Sequence, residues 1–293
     1  MNVGPRMNGE KLDITCDSGP QLSERPMGTG KDLRISEFID QDDERSVILQ
    51  ASQGIMLGPS GDERLDEALE RIAGAGVDGI IMNRGLANRY SRIFRGRNSP
   101  AMIMSLDWTN AFRGSDHLLP MMRLEHLVLT TVEDALTLGA SGVSAYFFVG
   151  YEKDEYEARN FESLAAICRE CDDLEVPLLV QAIPVGERVV KENYAECLAL
   201  ASRMAVEAGS DLVAVPYAGT EGEMKRIVTA AKVPTLLLDL ELRLAEGQPD
   251  LGLVQAAGQA LDAGSSGIVL GRRYLEAENV VEAERLIRLV HGG

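Results

Sequence analysis

Eight short apolar runs recur along this chain, each followed by a loop and, in most cases, by a longer amphipathic segment. The runs are Val47–Gln50, Asp78–Asn83, Ala101–Leu106, Gly142–Phe148, Pro177–Ala182, the stretch Ser210–Gly219 that opens from a strand into a loop, Pro234–Asp239 and Gly267–Leu270. They are continuous rather than alternating, as strands are when a parallel sheet is covered on both faces. Between them Arg64–Ala75, Val132–Leu138, Glu155–Cys171, Tyr194–Ala208, Glu221–Ala231, Leu253–Ala263 and Val280–Leu289 read as helices. Helix ends share one punctuation: Ala75-Gly76, Gly139-Ala140, Ala208-Gly209 and Ala263-Gly264. There glycine supplies the left-handed cap that turns the chain back toward the next strand. Eight such units predict an α/β fold of the closed (β/α)8, or TIM-barrel, kind. A doubly wound open sheet is the competing arrangement, but no Gly-x-Gly-x-x-Gly follows the first strand.

Residues 1–30 are rich in Gly, Pro, Ser and Asn without apolar periodicity, which predicts a short flexible extension ahead of a single barrel domain over 31–293. Leu33–Ile39 reads as a short helix capping the bottom of the barrel. The charge balance, 46 acidic against 29 basic residues, disfavours nucleic-acid or anionic-membrane partners, which need clustered Lys and Arg. Four cysteines show no disulfide framework, and Cys168-x-x-Cys171 lacks a second pair at zinc spacing, so reduced structural thiols are expected. No apolar run approaches the roughly 18 residues of a membrane span, and no signal-peptide core is present, so a cytoplasmic location is expected.

In such a barrel the chemistry sits at the C-terminal strand ends and in the loops beyond them. That rule selects Ser52, Gln53, Asn83, Arg84, Asp107, Trp108, Tyr146, Gln181, Tyr217, Asp239, Glu241, Gly271, Arg272 and Arg273. Asp107, Asp239 and Glu241 could converge to hold Mg2+ or Mn2+, or serve as general base beside a carbonyl; the alternative is that they cap helices or pair with Arg84 and Arg272. Asn83-Arg84 and Gly271-Arg272-Arg273 are candidates for holding an anionic small-molecule substrate, because arginine offers a rigid fork of donors. Trp108 could touch substrate or a lid, or pack a subunit. Tyr146 and Tyr217 could move a proton or fill a barrel layer. His117 and His126, in the long loop after the third strand, are expected to be solvated.

The chain resembles the archaeal-type (DeoC/LacD, DhnA-like) class I aldolases. The resemblance is carried by Gly30-Lys31-x-x-Arg34-Ile35, Gly54, Gly58-Pro59, Val132-Glu133-Asp134-Ala135-Leu136-x-Leu138-Gly139-Ala140 and Val149-Gly150. It continues through Pro184-x-Gly186, Ala208-Gly209-Ser210-Asp211-Leu212-Val213, Pro216-Tyr217 and Ala263-Gly264-Ser265-Ser266-Gly267-Ile268-Val269-Leu270-Gly271-Arg272. The family implied includes fructose-bisphosphate aldolases, amino-dideoxyheptulosonate synthases and the autoinducer-2 processing thiolase. It implies a small oxo or sugar-phosphate-like substrate, C–C bond chemistry and a homo-oligomer, often a decameric ring. It also implies a Schiff-base lysine two residues before Pro216, where this chain has Ala214. The family's acid/base tyrosine is Ile183 here, its first-strand Asp-His-Gly is Ser52-Gln53-Gly54, and its phosphate-cradling Gly-Gly is Asp239-Leu240-Glu241. Lys191 or Lys153, in loops at the mouth, could replace the nucleophile. Two expectations follow: an aldolase-family enzyme working without the usual Schiff base, with Asp239 or Asp107 moving the proton, or a catalytically silent homologue that binds a ligand or supports an assembly.

Overall fold

The computed structural model describes residues 28–58 and 64–292. Its strands are β1 (Ser46–Gln50), β2 (Gly79–Met82), β3 (Ala101–Ser105), the short β4 (Asp107–Thr109) and β5 (His126–Val128), then β6 (Gly142–Val149), β7 (Leu178–Pro184), β8 (Leu212–Val215), β9 (Thr235–Leu238) and β10 (Gly267–Leu270). All but β4 and β5 run parallel and close into one barrel, with β1 pairing both β2 and β10. The helices are α1 (Thr29–Ile35), α2 (Gly54–Leu57), α3 (Leu65–Gly74), α4 (Arg84–Tyr90), α5 (Val132–Thr137), α6 (Asp154–Asp173), α7 (Tyr194–Ala208), α8 (Glu221–Ala231), α9 (Leu253–Asp262) and α10 (Val280–His291). The expected (β/α)8 barrel is the observed fold.

The apolar runs produce two cores because successive side chains on a strand face opposite ways. Val47, Leu49, Ile80, Met82, Val143 and Phe147 pack outward under the helices. Ile48, Ile81, Ile103, Leu179, Leu212, Leu236 and Val269 fill the barrel. The four helix-ending glycines, Gly76, Gly139, Gly209 and Gly264, all adopt positive φ, between +83° and +120°. A side chain would strain each of these turns.

The bottom of the barrel is closed by the segment after α1. Phe38 and Ile39 are buried in the interior core, where a Cβ on Gly142 would lie 3.3 Å from the Phe38 ring. Lys31 anchors this plug by pairing with Asp172 at 2.6 Å and with Asp211 at 3.0 Å. Burial works against its charge, but the bonds and charges of Asp172 and Asp211 outweigh it and raise its pKa. This lysine is therefore fixed and buried, and it sits at the end opposite the mouth.

Two local readings were incomplete. The loop after β3 was expected to be irregular, but it contains the antiparallel β4–β5 hairpin. Helix α4 was not anticipated; at seven residues it is too short to show a period, although the Asn83 side chain caps it by accepting from Leu86 N at 3.0 Å. Of the expected N-terminal extension, residues 1–27 lie outside the described residues, and Gly28 already caps α1. Cys168 and Cys171 are buried in α6, and burial first, then the Asp172 charge, pushes the Cys168 thiol up to about 12. Among the described residues no helix is long and apolar enough to cross a membrane.

Candidate functional site

The upper interior of the barrel holds a polar cluster that is closed off from solvent. Gln50 Nε2 donates to Ser52 Oγ at 2.6 Å and to the Tyr146 hydroxyl at 3.0 Å, and Gln50 Oε1 accepts from Gln181 Nε2 at 3.0 Å. Gln53 also bonds to the Tyr146 hydroxyl. The Tyr146 ring stacks on Phe148, with centroids 5.8 Å apart, and meets Phe112 at 5.3 Å. Met56, Phe112 and Phe148 are all buried above it. Burial, and secondarily the charge of Asp107, raise the Tyr146 pKa far above its usual value, so the hydroxyl stays neutral. Ala214 belongs to the same interior, paired in register with Gln181 and Leu236, and is wholly buried. Thus Tyr146, Gln181, Ser52 and Gln53 do come together, but in a filled core rather than at an open surface.

The three carboxylates expected at the mouth do not share a site. Asp107 Oδ2 accepts from Tyr146 N at 2.6 Å and from His126 Nε2 at 2.7 Å. His126 Nδ1 in turn meets Asn160 Nδ2 at 3.0 Å, and Asn160 Oδ1 accepts from Phe148 N at 2.8 Å. This relay ties the β4–β5 hairpin to β6 and α6, and it buries a histidine expected to be solvated. At the other side, Asp239 Oδ2 accepts from Gly271 N at 3.1 Å and pairs with Arg273 Nε at 3.4 Å, while Glu241 Oε1 accepts from Arg273 N at 2.6 Å. A Cβ on Gly271 would lie 2.5 Å from Glu241 Oε1 and 2.8 Å from Asp239 Oδ2. The backbone amides after β10, which could cradle an anion, are therefore engaged by the chain's own carboxylates. Burial pushes the Asp239 carboxyl up to about 6, with Arg273 and the Gly271 amide pulling the other way. Among the described residues no three His, Cys, Asp or Glu side chains are grouped to hold a metal ion, so the donor set expected for Mg2+ or Mn2+ is not assembled.

The remaining candidates point to separate surroundings. Arg84 pairs with Asp134 at 3.1 Å, and Arg272 donates to Gly58 O at 3.3 Å. Tyr217 bonds Gln259 of α9. Trp108 donates its indole N–H to Ile55 O at 3.1 Å. Lys153 and Lys191 are exposed; Lys191 borders a recess of about 520 Å3 shared with Tyr194, Gly219 and Gly247.

Above the closed interior lies an open cavity of about 820 Å3, walled by the loops after β3 (residues 111–124), β6 (150–156), β7 (185–188) and β9 (242–244). Arg113, Arg123, Arg188 and Arg243 line it, against Glu152 and Glu187. Arg123 pairs with Glu125, and Arg188 pairs with Asp154 at 2.7 Å. Arg113 donates Nε to Met56 O at 2.9 Å and lies over the Trp108 ring at 5.4 Å. None of these arginines is among the strand-end positions that the sequence marks, because they lie farther out on the loops. The available signal was an arginine on each of three mouth loops in a chain otherwise dominated by acid.

A DeoC/LacD family aldolase model matches residues 40–277. The fructose-bisphosphate aldolase class 1 of Thermoproteus tenax is 31% identical over 257 residues, covering 85% of this chain and 90% of that protein. An uncharacterised aldolase of Saccharolobus solfataricus is 26% identical, covering 89% and 94%. Among solved structures, an archaeal fructose-1,6-bisphosphate aldolase, with its catalytic Lys covalently bound to a carbinolamine intermediate, superposes with a TM-score of 0.71 at 27% identity, covering 90% of this chain and all of that one. With a closed eight-stranded barrel and a family match spanning most of the sequence, the chain belongs to the DeoC/LacD family of aldolases.

Proposed function

We propose that this chain is a DeoC/LacD-family protein that binds a small anionic oxo or sugar-phosphate-like molecule on the C-terminal face of its barrel and forms no Schiff base at the family's usual position. The observation that carries this reading is Ala214: a methyl group, wholly buried and paired in register with Leu236, at the position where the family resemblance implies a reactive amine. The filled interior around Tyr146 and the occupied amides at Gly271 support the same conclusion, and the open arginine-lined cavity supports retained ligand binding. Borohydride reduction in the presence of dihydroxyacetone phosphate, glyceraldehyde phosphate or pyruvate, followed by mass spectrometry, is expected to yield no adduct. An adduct on Lys191 or Lys153 would show a relocated nucleophile and overturn the reading.

One observation favours a catalytic second reading, in which the protein enolises its ligand. The Asp239 carboxyl, held up at about 6, is suited to a general base near neutrality. Replacing Asp239 with Asn should then abolish deuterium exchange into a bound ketone while leaving the melting temperature nearly unchanged. Exchange at the wild-type rate in Asp239→Asn would remove Asp239 from that role. The same reading takes the protein as a homo-oligomer of the cytoplasm.

A further inference from the structure

The wall of the cavity above the barrel includes Arg113, a cation without a carboxylate partner among the described residues, and the buried Tyr151. Arg113 is half-buried, and among the described residues no carboxylate pairs with it; its contacts are one carbonyl and the Trp108 ring. Tyr151 is 4% exposed, and its hydroxyl finds no hydrogen-bond partner. Burial and the charge of Glu157 keep that hydroxyl protonated, so it remains a donor. Desolvated cations and buried hydroxyls are ordinarily paired, because leaving either alone costs free energy. Here both belong to the wall of one open cavity. Glu152 and Glu187, which share that wall, are exposed, so solvent screens them more than it screens Arg113.

Beside these polar groups the wall carries a set of apolar side chains. Met121, Met122, Leu124, Leu242 and Leu244 line it, and Met122 is fully exposed. Flexible thioethers and leucines held in water at a cavity mouth are suited to wrapping an apolar body, and they offer nothing to a row of hydroxyl groups. Gly114 packs against Leu242, so the loops carrying Arg113 and Arg243 meet over the barrel and place cation and apolar surface side by side.

We propose that this cavity binds an amphipathic organic anion, a molecule carrying one carboxylate or phosphate group on an apolar body, with Arg113 as the anchor and Arg243 beside it. The anionic end lies on the Arg113 guanidinium, and the body lies along Met121, Met122, Leu242 and Leu244. The proposal rests on the reading that the C-terminal face is the ligand face, and it narrows the ligand from sugar phosphates to less polar anions. It does not depend on whether any reaction follows.

The full-length protein would be titrated with ethyl, butyl and hexyl phosphate and with hexanoate, with inorganic phosphate, glucose 6-phosphate and hexanol as comparisons. Calorimetry gives the affinity, and emission from Trp108, the sole tryptophan, reports on Arg113 because the two are stacked. Hexyl phosphate or hexanoate is expected to bind at least about tenfold more tightly than inorganic phosphate and to shift the emission, with affinity rising several-fold per added CH2. The stronger of hexanoate and hexyl phosphate identifies the head group. Arg113→Gln should weaken binding about tenfold and Arg243→Gln several-fold, with unchanged melting. Should Arg113→Gln fail to fold, the exposed Arg243→Gln carries the same prediction. Equal or tighter binding of glucose 6-phosphate or hexanol, no binding of either hexyl anion at millimolar concentration, or wild-type affinity in the folded arginine variants would each overturn the proposal. A borohydride-trapped adduct, by contrast, would overturn the Schiff-base reading and leave this one standing.

Discussion

Asp107 and Asp239 are both buried carboxylates, and their surroundings differ. Asp107 Oδ2 meets the Tyr146 amide and the His126 ring and so ties the hairpin to β6, while its buried Oδ1 finds no hydrogen-bond partner. Asp239 has one amide and one distant guanidinium, and burial leaves its carboxyl near 6. Its folded value lies above its unfolded one, so its ionisation opposes folding once the pH rises past the unfolded value. Exchanging it for Asn removes that cost, which is why Asp239→Asn is expected to melt no lower than the parent at pH 7. His291 shows the opposite linkage. Its ring meets Asp43 at 2.7 Å and Asp78 at 3.2 Å, and the Asp78 bond first, burial opposing, raises its pKa to about 9 from the ordinary histidine value of 6.5. The stabilisation is fully present below the unfolded value and is lost as pH rises through about 9. Denaturation midpoints measured between pH 6 and 10 should fall across that window in the wild type and stay flatter in His291→Gln.

At the scale of elements, α1 and its following turn act as a stopper for the lower barrel, and the Lys31 contacts hold the stopper in place. Lys31→Met strips a nearly buried Asp211 of its cation, although Leu178 N still donates to that carboxylate at 2.9 Å. Breaking such a pair should cost about 3 kcal/mol, measurable by urea unfolding. The barrel itself was legible because its eight strands are continuous apolar runs and four of the units end in a glycine turn. Phe38 and Ile39 were legible as a cap for the same reason, since an amphipathic stretch ahead of the first strand must cover something. The hairpin was not legible: β4 and β5 are three residues each, too short for a two-residue period to stand out. The site was only half legible. Strand-end residues could be named, but whether Tyr146 or Asp107 faces solvent depends on Phe112 and Met56 folding over them, which no spacing reveals. The cavity arginines escaped notice because they lie on loops, beyond the register that strands impose.

For the whole molecule, a net charge of −17 makes each copy repel the next at low ionic strength. The proposed self-association would therefore rest on apolar contact, and Leu127, Val128 and Leu129, along the exposed β5 segment, are available for it. Light scattering at 0.15 M salt is expected to return a multiple of the 31.8 kDa chain mass, and a mass equal to a single chain would refute self-association. Low salt should shift the distribution toward smaller species, because screening fades as the Debye length grows.

With Tyr146 and its neighbours occupying the barrel, the residues that hold the fold together differ from those that would meet the proposed ligand. Sequence change in the mouth loops can then alter what is recognised without loosening the strands beneath. A library randomised at Arg113, Met121, Met122 and Arg243 would explore new partners on a framework whose folding free energy stays almost constant. In an ordinary barrel enzyme, where catalytic side chains stand on the strands themselves, the two properties would have to be traded against each other.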